Sequence, residues 1–355
     1  MGLLQSEFSS TLGLQCPLIV APMAGGPSTV ELVVASSEAG ALGSIGAAYL
    51  APAAIKETIA QTQARTRKPF AVNLFIPTPF TPPTEAQIQQ ALAKTKKFRD
   101  EFHLTPPDPR RFVEEDFDRQ FEAVLSMKPA VLSFVFGPLP RPHLLEAKKL
   151  GITLIGTATS PEEALELQES GLDAITLQGI EAGGHRGIFD PLAPDPEIPL
   201  MELLRELKAK IKIPLIAAGG IMNRADIDAA LRAGAAAVQM GTAFLATTEA
   251  GTSGPYRRKL LERPDRETRT TRVFSGRLAR GIRNRFMEEM DPRALLPFPV
   301  QNQFTRDLRG ASAQAGSADF LSLWCGTGKG PLRESSAAEL IRDLFAEGPC
   351  APIPL

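Results

Sequence analysis

The stretch TLIGTATSPEEALELQESGLDAITLQ, from Thr153 to Gln178, decides the fold. It opens with a short, almost wholly apolar run at 153–158. Ser160-Pro161-Glu162-Glu163 then starts a helical repeat that runs over 161–170. Ser160 is an N-cap, Pro161 suits the first helical position, and two acids favour the positive end of the helix dipole. Gly171 supplies the stop, and a second apolar run follows at 174–178. Short runs without alternation, flanking one helix, are the mark of parallel strands covered on both faces.

The same rhythm extends in both directions. Further strands are expected at 18–23, 42–47, 70–76, 130–136, 214–218 and 236–241. Further helices are expected at 29–39, 53–65, 143–150, 201–211 and 224–233, several stopping at glycine (Gly40, Gly151, Gly234). Eight strands alternating with helices make an α/β protein with a closed parallel sheet, the TIM (β/α)8 barrel. An open doubly wound sheet would favour a GxGxxG turn after the first strand, and Ala21-Pro22-Met23-Ala24-Gly25-Gly26 does not supply one. The barrel is assigned to residues 12–251. Two stretches break the rhythm. Residues 77–127 read as an inserted lid over the barrel mouth. Residues 252–330 read as a helical, irregular lid subdomain whose basic run (Arg257, Arg258, Arg266, Arg269, Arg272, Arg277, Arg280, Arg283, Arg285) is a solvated face. Residues 331–355 carry a helix at 335–345 that closes on the barrel.

The chain has 39 basic and 40 acidic residues, a formal net charge of −1. That balance removes the electrostatic case for nucleic acid as a partner. Cys16, Cys325 and Cys350 lie far apart without CxxC spacing, which argues against a metal centre or a disulfide framework and fits a reducing cytoplasm. The N-terminus lacks the pattern of a signal peptide; Gly2 and Ser6 match a loose myristoylation pattern, read here as coincidence. No apolar run reaches the roughly 18 residues that span a bilayer, so no membrane partner is expected. A homodimer is compatible with the sequence but not dictated by it.

Barrels of this kind carry their chemistry at the carboxyl ends of the strands. Five segments fall there. Ala21, Pro22 and Met23 end the first strand, where small residues let the backbone approach a flat ligand. Asn73 sits inside the apolar run 70–76, and a buried amide needs partners. After the sixth strand comes Gln178-Gly179-Ile180-Glu181-Ala182-Gly183-Gly184-His185-Arg186-Gly187. Its glycines free the backbone, and His185 can exchange a proton near neutrality. Arg186 can pair with an anion or with Glu181. His103, in a charged helix, and His143, beside Pro142, read as surface residues. The seventh strand ends in Ala217-Ala218-Gly219-Gly220, and the eighth in Gln239-Met240-Gly241-Thr242. Loops after these two strands form the recurrent phosphate site of such barrels, binding through backbone N–H groups.

These segments resemble the nitronate monooxygenase family, formerly the 2-nitropropane dioxygenases, and look most like its class I members. The likeness rests on residues 21–43, 178–187, 214–223 and 234–251, with Gln301-Asn302 and Leu323-Trp324-Cys325-Gly326 less distinctive. It implies bound FMN, reduced by a nitronate such as propionate 3-nitronate and reoxidised by O2, giving a carbonyl compound with nitrite or nitrate. Nitroalkanes are a further substrate class. By position, Ala21, Pro22, Met23, Asn73, Gln178, Gly183 and Gly184 would line the flavin ring and ribityl chain. Ala218, Gly219, Gly220, Gln239, Gly241 and Thr242 would hold the ribityl chain and phosphate. His185 would be the catalytic base, with Met23 and Phe244 as an apolar wall. The alternative is an FMN-dependent enoyl-[acyl-carrier-protein] reductase, or another NAD(P)H-dependent flavoenzyme of the same barrel group. A cofactor-free isomerase or aldolase would want a lysine or paired carboxylates at strand ends, and none is evident.

Overall fold

A computed structural model describes residues 6–79, 81–112, 115–262 and 266–346. Gly2, Cys350 and residues 347–355 of the closing segment lie outside them. The barrel strands are β1 (Leu18–Val20), β2 (Gly43–Gly46), β3 (Phe70–Phe75), β4 (Val131–Val135), β5 (Thr153–Ala158), β6 (Ala174–Gln178), β8 (Leu215–Ala218) and β9 (Ala237–Met240). They pair in parallel in the order β1-β9-β8-β6-β5-β4-β3-β2. The ends of that order meet: Ile19 bridges Leu42, the Val20 amide donates to the Leu42 carbonyl at 2.9 Å, and Leu42 donates back to Leu18 at 2.9 Å. The expected TIM barrel is therefore the fold. β5 and β6 have the bounds expected, and their helix Pro161–Ser170 starts on the Ser160 cap and stops at Gly171 in the left-handed region. β1 is shorter than expected at its far end, because the Met23 amide leaves the ladder for the Ser28 hydroxyl, 2.9 Å away.

Side chains alternate along each strand, so every second residue of a strand faces the barrel interior. Ile19, Leu42, Ala71, Val131, Ile155, Ala174, Ile216 and Ala237 form one apolar cluster, joined by Phe8 and Leu14. Two residues further along each strand, on the same face, stand Ala21, Ser44, Asn73, Ser133, Thr157, Thr176, Ala218 and Gln239. An apolar floor thus gives way to a small and polar layer at the carboxyl ends. The outer faces of the strands pack on the helix ring in a larger apolar core.

Three expectations need correction. Within 77–127, the helix Phe117–Met127 packs against the helix Pro52–Arg65, in the outer ring between β3 and β4. The helix Glu85–Glu101 buries Phe98 against Phe274, Phe286 and Phe320 of the C-terminal segment, so it props that segment instead of covering the mouth. Residues 252–330 are not wholly helical. Thr268–Thr271 (β10) and Ala279–Ile282 (β11) form an antiparallel hairpin, and β11 also pairs with Gly184–His185 (β7) of the loop after β6. The β-branched run Thr268-Arg269-Thr270-Thr271 favours a strand. The basic run is not one solvated face either. Arg283 and Arg285 are in surface ion pairs, but Arg277 is buried, its guanidinium 3.6 Å from the centroid of Phe136. The helix Ala337–Phe345 starts at a Ser336 capping box and buries Ala337, Ile341 and Leu344. Among the described residues no helix is long and apolar enough to cross a membrane.

Candidate active site

The polar layer opens into a cavity of about 890 Å³ at the carboxyl ends of the strands. The fourteen residues assigned in the sequence to the base and the cofactor line it: Ala21, Pro22, Met23, Asn73, Gln178, Gly183, Gly184, His185, Ala218, Gly219, Gly220, Gln239, Gly241 and Thr242. Asn73 donates its amide to the Ser133 hydroxyl at 3.0 Å, from one strand to the next.

The loop after β6 is held by a buried ion pair. Arg186 is paired with Asp195, not with a free anion or with Glu181. Its Nε lies 2.7 Å from one carboxylate oxygen and an Nη 3.2 Å from the other. The remaining Nη donates to the Gly179 carbonyl at 2.7 Å and the Gln178 Oε1 at 2.9 Å. Glu181 instead accepts from the Leu200 amide at 3.0 Å. Gln178 reaches the cavity, yet its carboxamide mainly shapes the loop: Nε2 donates to the His185 carbonyl and Oε1 accepts from the Gly187 amide.

His185 therefore stands on a fixed backbone, opposite Ala279 of β11. Phe75, Phe136, Phe298 and Trp324 surround its ring, with centroids 5.5–6.2 Å away. Its Nε2 lies 2.8 Å from the Ser275 hydroxyl. Burial, and behind it the charges of Arg277 and Arg309, push the imidazole pKa down to about 3. These surroundings favour the neutral ring, with one bare nitrogen, over the protonated one. The other histidines lie elsewhere. His103 follows the end of the helix Glu85–Glu101, with φ of 53°. His143 is not a plain surface residue, since it packs on Phe121 and contacts Asp118 at 3.0 Å.

Opposite lies a backbone cradle. Among the described residues, the amides of Gly219, Gly220, Gly241 and Thr242 donate to no backbone acceptor. Gly219 and Gly220 have φ of 122° and 72°, and the first Cβ would stand 3.0 Å from the Ala182 nitrogen. Those positions require glycine. The helix behind, Arg224–Arg232, is already capped by the Asn223 side chain, so the loop amides, not the helix end, are the free donors.

Sequence reasoning missed several lining residues. Phe244 is fully buried and does not reach the cavity. Its place in the apolar wall is taken by Phe75, Tyr49 and Trp324. Arg306 and Arg309 also line it, and among the described residues neither has a carboxylate within ion-pair distance. Burial first, then the neighbouring Arg306, lowers the Arg309 pKa to about 10. Ser275 and Tyr49 stand in no motif; Trp324 lies in the less distinctive stretch Leu323-Trp324-Cys325-Gly326 of the resemblance, without a role assigned to it there.

The nitronate monooxygenase family model matches residues 6–347. A nitronate monooxygenase of Paraburkholderia phytofirmans is 40% identical over 342 residues, 95% of this chain and 93% of its own. A probable nitronate monooxygenase of Bacillus subtilis is 36% identical over 350 residues, 96% and 99%. Among solved structures, a nitroalkane oxidase from Streptomyces ansochromogenes superposes with a TM-score of 0.89 at 36% identity, covering 96% of this chain and 97% of that one. FabK from Thermotoga maritima gives 0.74 at 25% identity, covering 96% and 95%. The resemblance read from the four strand-end segments thus extends along the described chain, and the protein belongs to the nitronate monooxygenase family.

Proposed function

We propose that this chain oxidises alkyl nitronates, propionate 3-nitronate among them, and also nitroalkanes, with O2 and bound FMN, releasing a carbonyl compound with nitrite or nitrate. One observation carries the reading: a neutral imidazole and a set of unclaimed backbone amides open on the same large cavity. The cradle fits a phosphate, which backbone N–H groups can bind without a basic side chain. On this reading Gly219, Gly220, Gly241 and Thr242 hold the phosphate. Ala218 and Gln239 would help to hold the ribityl chain, and Ala21, Pro22, Met23, Asn73, Gln178, Gly183 and Gly184 would line the ring and ribityl chain. When bound, FMN would supply the electron chemistry between nitronate and O2.

The protein's own groups do the rest. His185, kept uncharged, removes the α-proton of a neutral nitroalkane. A nitronate is already an anion and needs no base; Arg306 and Arg309, lacking carboxylate partners among the described residues, draw it into the cavity. Phe75, Tyr49 and Trp324 pack around the substrate and exclude water.

Anaerobic mixing of the purified holoprotein with propionate 3-nitronate should bleach the flavin absorbance. Bleaching by NADH alone would overturn the reading in favour of an enoyl-[acyl-carrier-protein] reductase activity.

A further inference from the structure

We propose that Ser275 is a positioning residue that fixes His185 in the tautomer protonated at Nε2, leaving Nδ1 as the ring's basic atom. The inference rests on the reading of His185 as the base.

The argument is a proton count. The Ser275 hydroxyl has one proton and sits among three polar neighbours. Its Oγ is 3.1 Å from the Arg277 carbonyl, 3.3 Å from the Arg277 amide nitrogen and 2.8 Å from His185 Nε2. A carbonyl can only accept, so that contact takes the serine proton. An amide can only donate, so that contact takes an oxygen lone pair. The remaining contact, to Nε2, then needs a proton from the imidazole. The reverse arrangement would turn the serine proton towards Nε2 and strand the Arg277 carbonyl, which has no other donor among the described residues. Ser275 is 1% exposed, and an unsatisfied buried polar atom costs about 1–3 kcal/mol, enough to select one tautomer.

Nothing else polar competes for the ring. Among the described residues Ser275 is the imidazole's single hydrogen-bonding partner, and the four aromatic rings around it make ring contacts only. The turn that presents the hydroxyl is itself constrained. Gly276 has φ of 85°, and a Cβ there would fall 2.6 Å from the Phe298 nitrogen, so the turn seats tightly against the segment that supplies one wall of the cage. Proton abstraction from a nitroalkane needs the bare nitrogen; oxidation of a preformed nitronate does not. Ser275 should therefore matter for one substrate class and not the other.

The test uses holoprotein labelled with 15N-histidine, as wild type, Ser275→Ala and Ser275→Thr. Nitrogen chemical shifts at neutral pH should show one of the three histidines as a pure Nε2–H tautomer in wild type. That signal should become a tautomer mixture in Ser275→Ala and be restored in Ser275→Thr. In parallel, kcat/KM for nitroethane should fall about tenfold in Ser275→Ala, part of the range general bases contribute, while propionate 3-nitronate turnover stays within about twofold. An Nδ1–H tautomer in wild type would overturn the inference. So would a loss shared equally by both substrates, or no loss for nitroethane. If wild type oxidises neither substrate, the functional reading fails, while the nitrogen shifts still judge the tautomer.

Discussion

Removing the Asp195 carboxylate should loosen the whole site from a distance. Arg186 and Asp195 have side chains 0% and 6% exposed, and two near-parallel N–H to oxygen contacts join them. Asp195→Ala leaves a guanidinium buried with only the Gln178 side chain and two carbonyls to solvate it. Breaking a buried pair in this way costs about 3–5 kcal/mol. At roughly 2.1 cal/mol/K per residue, a chain of 355 residues unfolds with an entropy near 0.75 kcal/mol/K, so Tm should drop by about 4–7 °C. Replacing both partners by leucine should recover most of that drop, because no charge is then stranded. The measurement is a calorimetric scan of the single and double variants, with flavin fluorescence followed in the same samples. A fall of less than about 1 °C in Asp195→Ala would refute the reasoning, as would a double variant less stable than the single one.

Two further outcomes follow from the site. Gly219→Ala forces a Cβ onto a residue at φ of 122° and against the Ala182 nitrogen; strain of about 1–3 kcal/mol should raise the FMN dissociation constant roughly 5- to 150-fold. Flavin fluorescence in the filtrate measures it, and an unchanged affinity would remove the cradle from cofactor binding. The second concerns pH. With a folded pKa of about 3, His185 stays neutral while the unfolded chain takes up a proton below its ordinary value near 6.5. Stability linked to this group is intact above that value and is lost as pH falls from about 6.5 towards 3, by about 2 kcal/mol at pH 5. Urea midpoints at pH 7 and pH 5 should therefore differ less in His185→Gln than in wild type; an equal difference would contradict the neutral imidazole.

What could be read in the sequence was whatever local chemistry determines. β5, its helix and β6 are delimited by Ser160-Pro161 and Gly171, and their bounds were legible residue by residue. The lining of the cavity was legible because it gathers at the carboxyl ends of the strands, where Asn73 interrupts an apolar run and Gln239-Met240-Gly241-Thr242 closes the last one. Tertiary partners were not. The hairpin β10–β11 is interleaved with arginines, so it carries no apolar alternation, and its strands are stabilised by pairing with β7 instead. The cage around His185 draws on four segments distant in sequence. Arg277 looked like a surface charge because nothing local reveals that Phe136 will lie under its guanidinium.

The three-stranded sheet that joins β7 to the hairpin has a consequence for biosynthesis. The hydroxyl that receives His185 lies 90 residues downstream, whereas the last barrel strand ends at Met240. A nascent chain can thus carry every stave of the barrel, with Phe75 and Phe136 of the cage, before the serine hydroxyl that receives the imidazole has been translated. The hydrogen bond to His185 and the pairing of β7 with β11 can form only once that C-terminal segment has been made.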